Sequence, residues 1–523
     1  MKHLPIGINT LSSIIDEQMV YIDKTDILLP MAQKMGRYFL SRPRRFGKSL
    51  LVDTLKELFE GNRRLFSGLY IEDKWDWSRT FPVIKIDFAG AVFHSRSELD
   101  QEIMAILDRN QQRLGIVCDW DRQSIPNCFS HLIAAAEEKY GQKVVILIDE
   151  YDKPILDNIE HPDRAAELRE GVKNLYSVMK GMDASIQFIF MTGVTKFSKV
   201  SIFSGINQLM DITLDDNYAT ICGYTQTDLE TSFAEHLTGV DWEKLKRWYN
   251  GYNFLGESVY NPFDILLFIA KNQTYRNYWF ETGSPSFLIK LFQQNRYFLP
   301  DLEAIEVGEE ILDSFDVENI DPITLLFQSG YLTIRERFED FGMQLYRLGI
   351  PNQEVRHALN TYLIDSYTRN SATVKLGYQR TLYHALLQAD IPELIATIKR
   401  LFASIPWRNF TNNDLPEAEG YYASVLYAFF ASLNATIIPE DITNHGQVDL
   451  VIQVGGYTYI TEIKIDKRAT PVEQGEPNAA LKQIEQKEYA KKYRGSGKGV
   501  FELGLVFSTV QRNLLQADWR AVD

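Results

Sequence analysis

Four short apolar runs, separated by segments of helix length, constrain the fold of the first 215 residues more than any other feature. The runs cover residues 38–40, 81–86, 144–148 and 186–191. The run at 144–148 is unbroken, which is typical of a strand buried on both faces of a sheet. Strands that alternate with helices form βαβ units, so the pattern predicts an α/β domain with a mostly parallel sheet over residues 1–215.

A glycine-lysine-serine turn follows the first apolar run and precedes a helical pattern. Residues 42–49 read Arg-Pro-Arg-Arg-Phe-Gly-Lys-Ser, whose second half matches the Walker A loop G-x-x-x-x-G-K-[ST]. Gly47 allows a tight turn that points amide groups at phosphate oxygens. Lys48 would reach the β- and γ-phosphates, and the Ser49 hydroxyl would ligate Mg²⁺. The loop therefore predicts a P-loop nucleotide site that takes ATP and Mg²⁺.

Three arginines make this loop unusual. Arg42 stands at the position of the first Walker A glycine, where a Cβ narrows the allowed backbone conformations. Arg44 and Arg45 place positive charge beside Phe46. We predict that residues 44–49 bind the nucleotide, and binding of nucleic acid or of an acidic partner by the arginines is the alternative.

The apolar run at 144–148 ends in two acidic residues, which is a Walker B pattern. Asp149 is predicted to hold Mg²⁺, and Glu150 to orient or deprotonate the attacking water. A solvated acidic turn at the end of a strand is the alternative. Thr192 ends the next strand and is predicted to contact the γ-phosphate, although a simple Thr-Gly turn explains it equally well.

A second acidic site is predicted near the C-terminus. Residues 455–456 are a Gly-Gly hairpin turn, so the hairpin brings Asp449 close to Glu462. Lys464 shares a face with Glu462 because side chains alternate along a strand. Glu419, at the start of a predicted helix, is a candidate third carboxylate. Such a group can hold Mg²⁺ and cleave a phosphodiester, and a charged strand edge is the alternative.

A basic segment follows this hairpin. Gln483 is predicted to begin a helix that continues through Lys487 to Ala490. The basic residues of this region are Lys482, Lys487, Lys491, Lys492, Arg494 and Lys498. Positive charge beside an acidic metal site is suited to a phosphate backbone, so we predict nucleic-acid contact through Gln483 and Lys487.

The composition limits the possible partners and compartments. The chain has 55 Lys and Arg against 70 Asp and Glu, a net charge of −15, which excludes a protein that coats DNA uniformly. Its three cysteines lack the paired spacing of a zinc site. No apolar stretch has the length of a membrane span, and no signal peptide is apparent. We therefore predict a cytoplasmic protein without a membrane partner.

Taken together, these motifs resemble a bacterial family that fuses an AAA-ATPase-like domain to a PD-(D/E)XK nuclease-superfamily domain. The resemblance is carried by residues 21–25, 41–49, 148–152, 192–194, 249–252, 446–449, 462–464 and 483–490. It implies a P-loop domain over 1–215, a mainly helical region over 216–405 and a restriction-endonuclease-like α/β domain over 406–523. In that family the first Walker A glycine is replaced, so Arg42 fits it.

Two functional hypotheses are compatible with these patterns. In the first, nucleotide state in the P-loop domain gates a Mg²⁺-dependent nuclease, with Glu150, Glu462 and Lys464 as catalytic residues. Metal ligands would be Ser49, Asp149, Glu419, Asp449 and Glu462. In the second, the protein is a nucleotide-dependent regulatory or defence switch whose nuclease-like domain binds without cutting. A protein-remodelling ATPase is weaker because no substrate-pore signature is present.

Overall fold

The computed structural model falls into two compact units, which are described separately. One unit comprises Met1–Thr282 and Glu306–Glu354, and the other comprises Gly283–Ile305 and Val355–Asp523. The structure describes residues 1–116, 124–197, 209–279, 302, 305–309, 321–368, 371–405, 419–433, 435–443, 446–470, 472–473, 475–495 and 497–522. The predicted boundary at 405/406 adjoins residues outside this part of the chain.

A five-stranded parallel sheet forms the core of the first unit. Its strands are β1 (Gly36–Ser41), β2 (Val83–Asp87), β3 (Val144–Asp149), β4 (Ile186–Gly193) and β5 (Met210–Asp211), in the order β2-β3-β4-β1-β5. Every pair is parallel, and β3 is buried along its whole length. The predicted α/β domain is thus confirmed, and the C-terminal ends of the strands meet at one edge of the sheet.

Helices connect these strands and continue into the middle of the chain. In chain order they are α1 (Leu11–Asp16), α2 (Thr25–Ala32), α3 (Lys48–Phe59), α4 (Arg96–Arg113), α5 (Ile125–Tyr140), α6 (Lys153–Leu156), α7 (Pro162–Gly181), α8 (Gln226–Ser232), α9 (Trp242–Tyr249), α10 (Pro262–Ala270) and α11 (Pro322–Ser329). Asn261 caps α10 by accepting a hydrogen bond from the Phe263 amide, with Pro262 at its first position. Sequence signals of this kind explain why the helices begin where they do.

The middle of the chain also contains a small sheet that was not predicted. Its strands are β6 (Ile305–Gly308), β7 (Thr333–Asp340) and β8 (Met343–Gly349), in the order β6-β8-β7. The β7–β8 turn places Phe341 and Gly342 at φ +39° and +78°. A two-residue turn of this hand is usually signalled by Asn-Gly or Asp-Gly. Phe-Gly lacks that signal, so the sequence does not predict this hairpin within a region that is otherwise mainly helical.

The second unit combines helices with a mixed sheet. Its helices are α12 (Gln353–Thr368, which begins in the first unit), α13 (Ala372–Gln388), α14 (Ile391–Ala403), α15 (Glu419–Ala431) and α16 (Ala479–Lys487). Its strands are β9 (Thr436–Thr443), β10 (Gly446–Val454), β11 (Tyr457–Asp466), β12 (Gly499–Ser508) and β13 (Asn513–Val522), in the order β13-β12-β11-β10-β9. Only β11 and β12 are parallel, and α16 lies between them in the chain, as a parallel pair requires.

The basic helix begins and ends earlier than predicted. Asn478 caps its first turn by accepting from the Leu481 amide, so α16 starts four residues before Gln483. Glu488 then adopts a left-handed conformation at φ +48° and stops the helix. A 3-10 turn, Tyr489–Tyr493, follows instead of a continuous helix. The sequence pattern shows the apolar spacing but does not reveal this break, which lies at a residue with no special backbone preference.

Gly251 is a position where the fold tolerates no side chain. Its φ is +116°, and a Cβ built there would lie 2.1 Å from the carbonyl oxygen of Pro351. We expect Gly251→Ala to lower the free energy of unfolding by about 3 kcal/mol or more, because a backbone atom cannot move aside. Chemical denaturation measures the loss. Gly239→Ala is the control, since Gly239 has φ +77° but open space around it, and its cost should be about 1 kcal/mol. Equal losses would contradict the steric explanation.

Candidate functional site

The phosphate loop opens onto a cavity of the first unit. Gly47 has φ +91° and forms the N-terminal boundary of α3, whose first residue is Lys48. The cavity has a volume of about 720 Å³. The predicted residues that line it are Arg44, Arg45, Phe46, Gly47, Lys48, Ser49 and Glu150. The N-terminal end of a helix attracts anions, and two arginines and a lysine line the cavity, so it can accommodate a phosphate chain.

Lys48 lies folded back on its own loop. Its Nζ donates to the carbonyl oxygens of Arg42 at 2.9 Å and Pro43 at 3.0 Å. Burial lowers the pKa of Lys48, while nearby Asp149 and Asp152 act in the opposite direction. The lysine thus sits at the cavity with its ammonium held by neutral carbonyl groups, and an incoming phosphate offers it a stronger, charged acceptor.

Arg42 holds the start of the loop in place. Its guanidinium is fully buried and donates to the carbonyl oxygens of Ser41, Thr213 and Tyr218 at 2.9, 2.8 and 3.1 Å. It also stacks on the Phe254 ring, 3.9 Å from the ring centroid. Burial lowers the pKa of Arg42 to about 10. Where the Walker motif has a glycine, this loop has a side chain that ties it to the segment after β5.

The Walker B carboxylate lies at the same edge of the sheet. Asp149 is fully buried, and its Oδ1 accepts the Glu150 amide at 3.0 Å. Its Oδ2 accepts no hydrogen bond from any residue that the structure describes. Burial raises the pKa of Asp149, and the Ser49 hydroxyl and Lys48 oppose this. A buried carboxylate oxygen in need of a partner, next to a serine hydroxyl, fits the ligand preferences of Mg²⁺.

Two acidic residues near this edge were missed by the sequence analysis. Asp87 ends β2 directly opposite Asp149 in the β2–β3 register, and its position at a strand end is the signal that would have found it. Asp152 accepts hydrogen bonds from the Val194 amide at 3.0 Å and from the Thr195 amide and hydroxyl at 2.6 and 2.7 Å. Asp152 therefore fixes the loop that follows β4.

The hydroxyl group of Thr192 is engaged inside the sheet, and its assignment to the γ-phosphate stays a prediction. Its hydroxyl donates to the Leu40 carbonyl oxygen at 2.8 Å, and the residue is fully buried between β4 and β1. Among the described residues that line the cavity, this end of β4 contributes Val194 rather than Thr192. The sequence located the strand end correctly, but the direction of the hydroxyl depends on the neighbouring strand.

The predicted C-terminal residues converge in the second unit. Lys464 Nζ lies 3.0 Å from Glu462 Oε1 and 3.1 Å from Glu419 Oε1. Gln483, on α16, donates to the same Glu462 oxygen. Asp449, on the adjacent strand β10, accepts the Ile463 amide at 2.6 Å. The amine of Lys464 thus joins Glu462 to Glu419, the amide of Gln483 meets the same Glu462 oxygen, and the hairpin places Asp449 on the strand beside Glu462.

Burial makes this cluster chemically unusual. Glu462 is 1% exposed, and its Oε2 accepts no hydrogen bond from the described residues. Burial raises the pKa of Glu462 to about 7 and that of Asp449 to about 6. The neighbouring carboxylates raise the pKa of Lys464, against the effect of its own burial. Within the described ranges, no three His, Cys, Asp or Glu side chains are grouped closely enough to hold a metal by themselves. The unpartnered oxygen nonetheless fits a divalent cation completed by water and phosphate.

Comparison with known proteins agrees with this architecture. The family described as "Predicted AAA-ATPase" matches residues 5–203, and the PD-(D/E)XK nuclease superfamily matches residues 417–517. A protein of Azotobacter chroococcum mcd 1, described as "Uncharacterized protein in vnfD 5'region", is 45% identical over 515 residues, which is 98% of each chain. The chain belongs to the AAA-ATPase-like family that carries a C-terminal PD-(D/E)XK domain. The predicted family and domain order are thereby confirmed.

The basic residues of this AAA-ATPase-like protein differ in their roles. Lys487 is exposed, as a contact to a phosphate backbone requires. Lys492 instead pairs with Asp441 at 2.5 Å, and Tyr493 donates to the other oxygen of that buried carboxylate. Lys492 therefore serves the fold. The described residues include no helix long and apolar enough to cross a bilayer.

The raised pKa of Glu462 predicts pH-dependent metal binding. A carboxyl group whose folded pKa is raised stabilises the protein below its unfolded pKa, and that stability is lost as the pH rises through about 7. A cation binds only the ionised form and offsets this loss. We expect Mn²⁺ to raise the melting temperature by about 4 °C more at pH 8 than at pH 6. Glu462→Gln, measured by the same thermal scans, should remove the difference. A shift that is independent of pH, or that survives in the variant, would contradict the assignment.

Proposed function

We propose that this protein binds ATP with Mg²⁺ in its N-terminal domain and cleaves nucleic acid with its C-terminal domain, the first activity gating the second. The observation that carries the proposal is the meeting of Lys464 of β11 and Gln483 of α16 on the buried Glu462 carboxylate, with Asp449 of the adjacent strand β10 bonded to the Ile463 amide beside it. An ion pair that only stabilised the fold would need no more than two of these side chains. The family match to a nuclease superfamily over residues 417–517 supports the same interpretation.

In the nucleotide site each residue has a role suited to its position. Lys48 binds the β- and γ-phosphates when they displace the loop carbonyl groups. Ser49 and Asp149 would hold Mg²⁺, which would neutralise phosphate charge. Glu150 lines the cavity, and burial together with Asp149 raises its pKa, which suits a residue that accepts a proton from water. Arg44 and Arg45 bind the remaining phosphate charge.

In the nuclease-like site the acidic and basic groups divide the work. Asp449 and Glu462 would hold Mg²⁺, with Glu419 beside them; the metal, when bound, supplies an activated water and stabilises phosphate charge. The Lys464 ammonium donates hydrogen bonds that stabilise phosphate charge and lower the pKa of the attacking water. Gln483 orients Glu462, and Lys487 contacts the nucleic-acid backbone.

The test is an incubation of the purified protein with plasmid and single-stranded DNA. Mg²⁺ or Mn²⁺ is present in each reaction, with ATP, ADP or a non-hydrolysable ATP analogue. We expect cleavage whose rate depends on the nucleotide. Absence of cleavage on both DNA forms in every nucleotide condition would refute the nuclease part of the proposal. ATP binding is a separate part, which a direct binding measurement tests.

One observation favours the alternative of a switch that binds without cutting. The Lys464 ammonium contacts both Glu419 and Glu462 and so neutralises carboxylate charge that a cation would otherwise take. For such a switch, DNA binding should depend on ATP but not on a metal. Calorimetric titration with Mn²⁺ distinguishes the nuclease from the switch. Mn²⁺ binding to the wild type that is lost in Glu462→Gln supports the nuclease. No Mn²⁺ binding to the wild type supports the switch.

A further inference from the structure

A further cavity of the first unit lies beside the start of the phosphate loop and has no role in the proposed chemistry. Its volume is about 580 Å³, and its lining includes Ser41 and Asp211, the last residues of β1 and β5. Among the described lining residues, it has none in common with the nucleotide cavity. Open α/β sheets bind ligands outside the carboxyl ends of their strands, so the cavity has the position of a binding site.

Two side chains of this lining have buried donor groups without a partner. Arg42 is fully buried and Gln328 is 5% exposed. Arg42 Nε and Gln328 Nε2 donate to no residue that the structure describes. The other bonds of the guanidinium go to main-chain carbonyl oxygens, which do not neutralise its charge. An unmet buried donor costs free energy, and a carboxylate is the acceptor that suits a guanidinium best.

One carboxylate of the lining is also left without a charged partner. Two ion pairs join Lys196 to Asp211 and Arg337 to Asp216, which cancels the charge of these four side chains. Asp215 lines the same cavity and is half-buried. It forms no ion pair with any residue in the described ranges. The cavity therefore presents one uncompensated cation, the buried guanidinium, and one uncompensated anion that is nearer to solvent.

The remaining space of the cavity borders apolar side chains. Phe254 and Phe327 line it and are both buried. Leu214 and Pro43 add further apolar surface. A ligand that suits this lining has an anionic group, a cationic group and an apolar part, with no net charge of its own.

We propose that this cavity binds a free α-amino acid with an apolar side chain. Its carboxylate accepts hydrogen bonds from Arg42 and Gln328, and its ammonium group pairs with Asp215. Its side chain packs against the phenyl rings. A phosphate ester would bring excess negative charge close to Asp215, and a simple amine would leave the buried donors unmet. The assignment depends on neither the nucleotide site nor the nuclease-like site.

The test is isothermal titration calorimetry of the full-length protein with L-leucine and with L-phenylalanine, in the absence of nucleotide. We expect at least one of them to bind with a Kd below about 1 mM. Isocaproate and isopentylamine each carry only one of the two charged groups of leucine. Each should bind at least about tenfold more weakly than leucine, because one charge of the cavity stays uncompensated.

Two substitutions test the assigned contacts. Asp215→Asn removes the negative charge and keeps an oxygen that can accept the Asn217 amide. Gln328→Glu keeps the oxygen that accepts the Lys196 amide but replaces the free donor with an oxygen that repels a carboxylate. Each should weaken amino-acid binding at least about tenfold. Asp163→Asn is the matched control, since Asp163 is exposed in the first turn of α7 and outside the cavity lining. Thermal unfolding verifies that each variant folds.

Each outcome decides the question. Failure of both amino acids to bind the wild type would overturn the proposal and leave the proposed nucleotide site untouched, because no ATP is present. Isocaproate or isopentylamine binding as tightly as leucine would show that the cavity does not recognise the two charges together. Wild-type affinity in Asp215→Asn, or an equal loss in Asp163→Asn, would refute the assigned contacts. If Gln328→Glu does not fold, Asp215→Asn decides alone, since it changes little besides charge at a half-buried position.

Discussion

Lys48→Ala is expected to weaken nucleotide binding about 100-fold. Lys48 donates to the carbonyl oxygens of Arg42 and Pro43, and in the proposed nucleotide complex phosphate oxygens take their place. The substitution removes charge-assisted hydrogen bonds worth about 3 kcal/mol, or about 100-fold in Kd. Equilibrium binding of a fluorescent ATP analogue with Mg²⁺ measures the loss. The same variant should lose any effect of ATP on DNA cleavage.

Lys56→Ala is the matched control for this variant. Lys56 lies two turns further along α3 and pairs with Glu57 and Glu60. Its removal takes one positive charge from the same helix without changing the cavity lining, so nucleotide affinity should stay within about twofold of the wild type. Unchanged ATP affinity in Lys48→Ala would mean that the cavity does not bind phosphate as proposed, and equal losses in both variants would point to a non-specific charge effect.

Lys464→Ala is expected to remove DNA cleavage while leaving ATP binding intact. Lys464 is the one amine at the described carboxylate cluster, with Nζ at 3.0 and 3.1 Å from two acidic side chains. Loss of a group that stabilises phosphate charge or aids proton transfer typically slows such a reaction by about 10²- to 10³-fold. The measurement is the initial rate of plasmid nicking at saturating Mg²⁺, with ATP binding determined on the same preparation.

Lys467→Ala controls for charge at the end of the same strand. Lys467 is exposed and follows β11 directly, so its loss should change the cleavage rate by less than about twofold. Cleavage at the wild-type rate in Lys464→Ala would show that the cluster is not the active centre. Loss of both cleavage and ATP binding would instead indicate a folding defect, which thermal unfolding would reveal.

Lys48→Ala and Glu462→Gln also test whether nucleotide binding and metal binding are separable. The phosphate loop belongs to one compact unit and the carboxylate cluster to the other. Lys48→Ala is therefore expected to retain the metal-dependent rise in melting temperature that Glu462→Gln loses. If the two sites are separate, inactivating one of them should leave ligand binding at the other unchanged.

The amino-acid sequence alone determined those features that depend on local spacing. The unbroken run at 144–148 marks a doubly buried strand, and the Gly-Lys-Ser turn marks a strand-to-helix loop. The Gly455-Gly456 turn sets the hairpin register that places Asp449 near Glu462. Side-chain alternation on one strand places Lys464 beside Glu462. Periodicity and turn chemistry act over a few residues, so a single sequence displays them.

Tertiary structure alone decided where individual side chains point and which distant groups meet. Thr192 was located at the correct strand end, but its hydroxyl is engaged by Leu40, a residue on another strand. Arg42 is buried against carbonyl groups more than 170 residues away. These contacts depend on burial, which raises the cost of an unpaired polar group and selects partners that no local pattern reveals.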